Sequence, residues 1–218
     1  MLCPICASSE SSILSVPGRN LHRCRFCAFS WTDPASWPGD DEIGYRYTAS
    51  LHGDGEKPLM AEEAQQGINL FPSAAAEKTI LWSCCPDTEL PSLNILEGKS
   101  PFFWNSLDAS VQAPPREQFD LGICAGCIGA SKSPRENFLA FASSLKAGGW
   151  LLMHIPLAPV KDEDFLSWPH IHDQFRVSFF SARSLEILSS MASIEFHASE
   201  EGGLQVFRRP LPVLVAGG

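Results

Sequence analysis

Long apolar runs are missing from this sequence. No stretch approaches the roughly 18 consecutive apolar residues that span a bilayer, and the start, MLCPICASSE, has no basic segment followed by an apolar one. We therefore expect no transmembrane helix and no secretory leader, and the expected location is the cytoplasm. In that reducing compartment the eight cysteines are expected to be metal ligands, reactive thiols or buried small residues rather than disulfides.

Positive charge is also scarce. Lys and Arg number 16 against 25 Asp and Glu, which gives a net charge of -9. This balance disfavours a general binder of nucleic acid or anionic membrane, because such binding neutralises phosphates with Lys and Arg. A content of 44% hydrophobic and 19% charged residues is that of a globular protein, and 218 residues allow one main domain with a small module.

Composition and periodicity divide the chain into four parts. The predicted parts are a cysteine-paired unit at 1–34, a linker with room for a short helix at 35–78, an alternation of strands and helices at 79–210, and a tail at 211–218. Strands separated by helices predict an α/β fold with a mostly parallel sheet covered on both faces.

Two helices in the third part have clear sequence signals. The segment 133–149 places its apolar residues on one face, and Gly148-Gly149 is predicted to stop that helix. The segment 181–192 is predicted to be amphipathic, with Ser181 as its N-cap. Two closing strands are predicted after it.

Four cysteines near the start form two C-x2-C pairs with seventeen residues between them: Cys3, Cys6, Cys24 and Cys27. Each pair places two thiolates at one tight turn, and two such turns supply the four soft ligands of a tetrahedral zinc. Four protein ligands leave no open position, so the spacing predicts a structural zinc ribbon. Loss of the metal is expected to unfold 3–34 while the larger domain keeps its own core.

The ribbon also carries a basic and aromatic cluster. It consists of Arg19, Arg23, Arg25, Phe26, Phe29 and Trp31. Such a mixture is found in nucleic-acid interfaces, but exposed arginines usually form a solvated face. With the acidic net charge, nucleic acid is not an expected partner.

Several long segments together resemble a known family. They are LHRCRFCAFSWTDP, YRY, FDLGICAGCIGASKSPRENFLAFASSLKAGGWLLMHIP and HDQFRVSFFSARSLEILSSMASIEF. They are similar to bacterial class I S-adenosylmethionine-dependent methyltransferases that carry an N-terminal zinc ribbon. The resemblance implies a Rossmann-like sheet with a ligand crevice at the carboxyl ends of its strands, and first and fourth strands that are neighbours.

The positions that bind the cofactor in this family are altered here. The glycine-rich turn after the first strand is replaced by 83–88, SCCPDT, which has no glycine. Glu97 is the candidate for holding the ribose, although it follows Cys85 too closely for a full crossover with a helix. Gly129 and Ala130 replace the usual acidic and histidine pair. S-adenosylmethionine binding is therefore in question.

The resemblance implies that a loop rich in histidine, FLSWPHIHDQF, lies over the crevice. On an extended segment, His170 and His172 would face the same way. In an active enzyme one of them would be the general base; otherwise they are surface or capping residues.

The inner cysteines form a second candidate site. The implied topology places Cys84 and Cys85 beside Cys124 and Cys127, so that a second zinc, an iron-sulfur cluster or a redox disulfide is chemically feasible. Inert burial of small thiols is the alternative.

Two functions follow from these patterns. The first is a methyltransferase-like protein without catalysis that binds a protein partner or acts as a scaffold around a structural zinc. The alternative is an active S-adenosylmethionine-dependent methyltransferase acting on a small molecule or saccharide.

Overall fold

The computed structural model describes residues 1–39, 42, 79–83, 101–108, 110–124, 126–173, 175–199 and 203–212. The strands are β1 (Ser11–Val16), β2 (Arg19–Cys24), β3 (Ser30–Thr32), β4 (Ile80–Ser83), β5 (Phe102–Phe103), β6 (Phe119–Cys124), β7 (Leu145–His154), β8 (Ser178–Phe179), β9 (Glu195–Ser199) and β10 (Leu204–Arg208). The α-helices are α1 (Pro134–Ser144), α2 (Asp162–Leu166) and α3 (Ala182–Ala192). None of the helices in these ranges is long and apolar enough to cross a membrane.

The first sheet begins as a hairpin. Strands β1 and β2 pair antiparallel from Ser11 opposite Cys24 to Val16 opposite Arg19. Gly18 closes the turn with a φ of +84°, which an L side chain rarely adopts. Strand β3 adds to β2, and β8, from much later in the chain, adds to β3. The sheet therefore joins the cysteine-paired segment to residues 178–179.

In the described part of the chain, the larger sheet has six strands in the order β5-β4-β6-β7-β10-β9. Strands β5, β4, β6 and β7 are parallel, whereas β10 runs antiparallel to both of its neighbours. This mostly parallel α/β sheet confirms the predicted fold class. The carboxyl ends of β4, β5, β6 and β7 meet at one edge, where α/β proteins bind ligands.

Helix α1 is shorter than the sequence predicted. It ends at Ser144, and β7 begins at Leu145, so Gly148-Gly149 lies within a strand and the predicted stop is wrong. The hydroxyl of Ser144 donates to the carbonyl of Phe141 (2.7 Å), and the backbone N–H of Gln118 donates to the carbonyl of Ser144 (2.8 Å). These bonds satisfy the end of the helix without a glycine.

Glycine at 149 instead permits close approach of two strands. A Cβ there would lie 2.9 Å from the carbonyl oxygen of Lys146 and 3.2 Å from that of Phe119.

Helix α3 begins as the sequence predicts. Ser181 is its N-cap, and the Ser181 hydroxyl accepts from the backbone N–H of Ser184 at 3.1 Å.

One hydrophobic core is shared by the ribbon and the larger sheet. Phe29 of the ribbon packs edge-on against Phe180, with ring centroids 5.2 Å apart, and both rings are buried. The hydroxyl of Ser181 also donates to the carbonyl of Cys27 at 2.5 Å. The N-terminus of α3 therefore rests directly on the second cysteine pair.

Candidate functional site

The four cysteines of the ribbon lie together. The Sγ atoms of Cys3 and Cys27 are 3.6 Å apart, those of Cys6 and Cys24 are 3.5 Å apart, and all four lie within 4.8 Å of one another. A zinc ion with Zn–S bonds of about 2.3 Å in a tetrahedron holds its sulfurs about 3.8 Å apart. The donor set and its spacing therefore fit a tetrahedral metal ion.

Hydrogen bonds shape both turns in the same way. The backbone N–H of Ala7 donates to the carbonyl of Cys3, and that of Ala28 donates to the carbonyl of Cys24. Ala7 has a φ of 59° and Ala28 a φ of 55°, so both alanines adopt the left-handed conformation that favours glycine.

Replacing Ala28 by glycine is therefore expected to stabilise the protein. Relief of the left-handed strain outweighs the added freedom of the unfolded chain, and we expect a gain of about 0.5–1 kcal/mol in the zinc-loaded protein. Denaturant unfolding measures it. The control is Ala140→Gly inside α1, where the same change should cost about 1 kcal/mol; losses at both positions would contradict the argument.

Two of the ribbon arginines are turned into the protein. The Arg19 guanidinium donates to the carbonyls of Ile171 (2.6 Å), Asp173 (2.8 Å) and Arg176 (2.8 Å). The Arg23 guanidinium donates to the carbonyls of Pro159 (2.5 Å) and Val160 (2.7 Å).

Arg23 is further held by charge and by an aromatic ring. Its Nε lies 3.0 Å from a carboxylate oxygen of Asp162, and its guanidinium carbon lies 4.5 Å from the centroid of the Phe165 ring. Phe29 and Trp31 are buried, while Arg25 and Phe26 are exposed. Arg19 and Arg23 thus fasten the ribbon to residues 159–176. A nucleic-acid surface formed by the whole cluster is therefore wrong, because only two of its six members remain exposed.

A polar cluster closes the carboxyl ends of three parallel strands. It consists of Ser83 at the end of β4, Ser106 after β5, Cys124 at the end of β6, and Cys127 in the 3₁₀ helix Cys127–Ala130. The Cys127 Sγ lies 3.4 Å from Ser83 Oγ, 3.3 Å from Ser106 Oγ and 3.4 Å from Cys124 Sγ. All four side chains are buried, with Ser106 the most exposed at 7%.

The surroundings of Cys127 favour its thiolate. The hydrogen bond with Cys124, followed by those from Ser106 and Ser83, lowers the pKa of Cys127 to about 7 against the opposing effect of burial. Neither serine was predicted as a site residue from the sequence. The signal for Ser83 was a small polar residue closing an otherwise apolar strand, whereas Ser106 had no signal before β5 was known.

The structure tests the inner cysteines in part. Ser83 lies opposite Cys124 in the parallel pairing of β4 and β6. The prediction that these two strands are neighbours in the sheet is therefore confirmed. Cys124 and Cys127 contact each other, whereas Cys84 and Cys85 lie outside the described residues. A four-sulfur second metal site therefore stays a prediction.

The strand beside β4 differs from the one used to place Glu97. Strand β5, which pairs with β4 through Leu81 opposite Phe102, ends at Phe103. The connection between the two strands, residues 84–101, is longer than the roughly 10–12 residues that a parallel crossover with its helix requires. Glu97 and the helix of this crossover lie outside the described residues, so a shortened first crossover and a ribose contact from Glu97 stay predictions.

An arginine lies over the 3₁₀ helix that follows β6. A Cβ at Gly129 would lie 2.8 Å from an Nη atom of Arg176, so a side chain there would displace this guanidinium from its present position. The Nε of Arg176 is buried, has no hydrogen-bond partner among the described residues, and lies 3.8 Å from a carboxylate oxygen of Asp173. The wall thus carries a positive charge where the resembled family has an acidic residue.

The two loop histidines do not face the same way. They lie in the 3₁₀ helix Pro169–His172 rather than in an extended segment, and His170 is half-buried while His172 is exposed. The His170 ring packs against Trp168 at an angle of 60°, with centroids 4.8 Å apart. The expectation of a shared orientation is wrong because residues two apart in a 3₁₀ helix point in different directions.

His170 is expected to titrate below its ordinary value of 6.5. Burial, followed by the positive charges of Arg176 and His154, lowers the pKa of His170. Because the folded state favours the neutral ring, the unfolded chain binds more protons below pH 6.5, and this part of the stability falls as the pH falls. Ring-proton NMR of Arg176→Met should show the pKa of His170 moving up, while Arg183→Met, at an exposed position of α3, should leave it in place.

Comparisons with known proteins agree with this fold. A family model described as a methyltransferase domain matches residues 59–189, more than half of the chain. The Burkholderia thailandensis 1,6-didemethyltoxoflavin-N1-methyltransferase, with its substrate and S-adenosylhomocysteine bound, is similar over 93% of this chain and 100% of its own, with a TM-score of 0.53 and 12% identity.

An O-methyltransferase family protein from Burkholderia thailandensis is similar over 80% of this chain and 61% of its own, with a TM-score of 0.48 and 12% identity. No curated protein matches the sequence. At 12% identity the likeness to the 1,6-didemethyltoxoflavin-N1-methyltransferase concerns the fold alone.

Proposed function

The chain belongs to the methyltransferase-domain family, and from this membership and the geometry of its crevice we propose that it is a non-catalytic binding partner or scaffold. In this proposal Cys3, Cys6, Cys24 and Cys27 hold a structural zinc, which has no open position for water or substrate. The crevice at the strand ends then serves packing and docking rather than methyl transfer.

The position of Arg176 carries this proposal. S-adenosylmethionine bears a positively charged sulfonium, and the largely buried Arg176 side chain places like charge over Gly129 on the same crevice wall. Asp173 offsets that charge only in part, because its carboxylate lies 3.8 Å away and is 44% exposed. A cation would therefore bind this wall less favourably than it would bind an acidic one.

The polar groups at the carboxyl ends of β4, β5 and β6, which form the floor of the crevice, support the same proposal. Asn137 donates to the carbonyl of Ser106 (2.5 Å) and to the hydroxyl of Ser131 (2.8 Å), which ties the loop after β5 to the segment after β6. With the buried cluster around Cys127, these bonds pair the polar groups of the strand ends with one another.

Active methyl transfer is the second candidate. The crossover of residues 84–101 has the length for a helix beside a cofactor. The lowered pKa of His170 keeps its ring neutral at pH 7, as a general base requires. In this candidate Glu97 holds the ribose, His170 or His172 accepts the proton of a small-molecule or saccharide substrate, and S-adenosylmethionine supplies the methyl group.

Calorimetric titration separates the two. We expect no heat from millimolar S-adenosylmethionine or S-adenosylhomocysteine with the zinc-loaded protein. Micromolar binding that disappears in Glu97→Ala and persists in Glu117→Ala, an exposed carboxylate paired with Arg209, would overturn the non-catalytic proposal.

The proposed partner is another protein, and the proposed location is the cytoplasm. A reducing compartment keeps the ribbon thiols available to zinc. Nucleic acid is not a proposed partner, because Arg19 and Arg23 are committed to backbone carbonyls within the chain.

A further inference from the structure

Cys124 and Cys127 form a thiol pair apart from the ribbon. Their sulfur atoms are 3.4 Å apart, one at the end of β6 and the other at the start of the following 3₁₀ helix. Gly126 turns the chain between them with a φ of +79°. A disulfide requires sulfurs about 2.05 Å apart, so a shift of little more than 1 Å would bring the two into bonding distance.

The polar surroundings distinguish this pair from cysteines buried as small apolar residues. Two hydroxyls, Ser83 Oγ and Ser106 Oγ, lie 3.4 Å and 3.3 Å from the Cys127 sulfur, and they lie 2.9 Å from each other. Hydroxyl donors stabilise a thiolate, which is the form that attacks a disulfide. An apolar pocket would instead favour the neutral thiol.

We propose that Cys124 and Cys127 form a reversible disulfide, which makes the floor of the crevice a redox-sensitive site. The oxidant is a small disulfide of the glutathione class. The Cys127 thiolate attacks one of its sulfurs and releases one small thiolate, which takes up a proton. The Cys124 thiolate then attacks the Cys127 sulfur in the mixed disulfide and releases the second small thiol. Two protein thiols are oxidised and one small disulfide is reduced to two thiols.

Burial makes the reaction depend on opening of the crevice. Both residues are only 1% exposed, so a small disulfide reaches Cys127 only after a local opening of the strand ends. Once formed, the bond would draw the Cys127 sulfur away from the two serine hydroxyls and would fasten the end of β6 to the 3₁₀ helix. The proposal does not depend on whether the crevice binds S-adenosylmethionine.

Peptide mapping tests the proposal directly. The zinc-loaded protein is incubated with oxidised glutathione at pH 7, quenched in acid, alkylated with a maleimide and cut with trypsin. The peptide 117–132 contains Cys124 and Cys127 and no other cysteine. We expect this peptide to appear without maleimide and lighter by two hydrogens, and to take up two maleimides after treatment with dithiothreitol.

Variants test the role assigned to the hydroxyls. In Ser106→Ala the disulfide should form roughly threefold more slowly at pH 7, because one donor to the thiolate is lost. The control is Ser110→Ala, whose hydroxyl bonds the exposed Asp108; it should react at the wild-type rate.

Three results would overturn the proposal. The first is that both thiols stay free in the folded protein while the same buffer oxidises the urea-unfolded chain, which would mean inert burial. The second is linkage of Cys127 to the peptide 79–99, which contains Cys84 and Cys85. The third is a second metal per chain that is lost in Cys127→Ser, which would mean a metal site. The wild-type map decides the question even where a variant fails to fold.

Discussion

Removing zinc, by chelation or by Cys24→Ser, is expected to destabilise more of the chain than the cysteine-paired segment. Structural zinc contributes roughly 10 kcal/mol or more to the folding of small zinc modules, so the knuckles should unfold without it. In this protein β3 pairs with β8, and Ser181 at the start of α3 donates to the carbonyl of Cys27. Loss of the metal should therefore release residues 156–181 together with the ribbon.

Hydrogen exchange measures how far the unfolding extends. Amides of β1–β3, β8 and the loop between β7 and β8 should lose protection after chelation, while β4, β6 and β7, which pair within the larger sheet, should keep it. Cys124→Ser is the control, since Cys124 lies outside the ribbon and this variant should retain its zinc. Protection lost only within residues 3–34 would show that the shared contacts contribute little.

The sequence was sufficient where a local pattern determines the structure. Two C-x2-C pairs require two tight turns, and the positive φ values of Ala7 and Ala28 follow from that geometry. Ser181 forms the predicted cap because a serine before an amphipathic segment bonds the next N–H groups wherever the helix lies. The neighbouring positions of β4 and β6 followed from the family resemblance rather than from local pattern.

The sequence was insufficient to predict the structure where contacts between residues far apart in the chain determine it. By local pattern, Gly148-Gly149 predicts the end of a helix. In the structure Gly149 lies in β7, at a position where only glycine fits against the carbonyl oxygens of Lys146 and Phe119. Arg23 has the sequence context of a solvated ribbon arginine, yet its partners are Pro159 and Val160, far along the chain. No local signal reports such partners.

Replacing Arg23 by methionine is the second change with a large expected effect. Methionine keeps an apolar stem against Phe165 but removes the donors to Pro159 and Val160, whose carbonyls then lose charge-assisted hydrogen bonds. Arg23 is only 3% exposed, so water does not readily replace it. We expect a loss of about 3 kcal/mol, or a fall of roughly 6–12 °C in Tm for a chain of this size, measured by thermal unfolding of the zinc-loaded protein.

Arg25 supplies the matched control for this prediction, because it lies two residues away in the same knuckle and is exposed. Arg25→Met should change the stability by no more than about 0.5 kcal/mol. Arg23→Lys distinguishes charge from shape: one ammonium preserves the charge beside Asp162 but does not reproduce the planar fork that serves two carbonyls and a carboxylate. If the fork fastens the ribbon to residues 159–162, Arg23→Lys should recover less than half of the stability lost in Arg23→Met. Full recovery would assign the effect to charge alone. Equal losses of stability in Arg23→Met and Arg25→Met would show that these buried hydrogen bonds do not join the ribbon to residues 159–162.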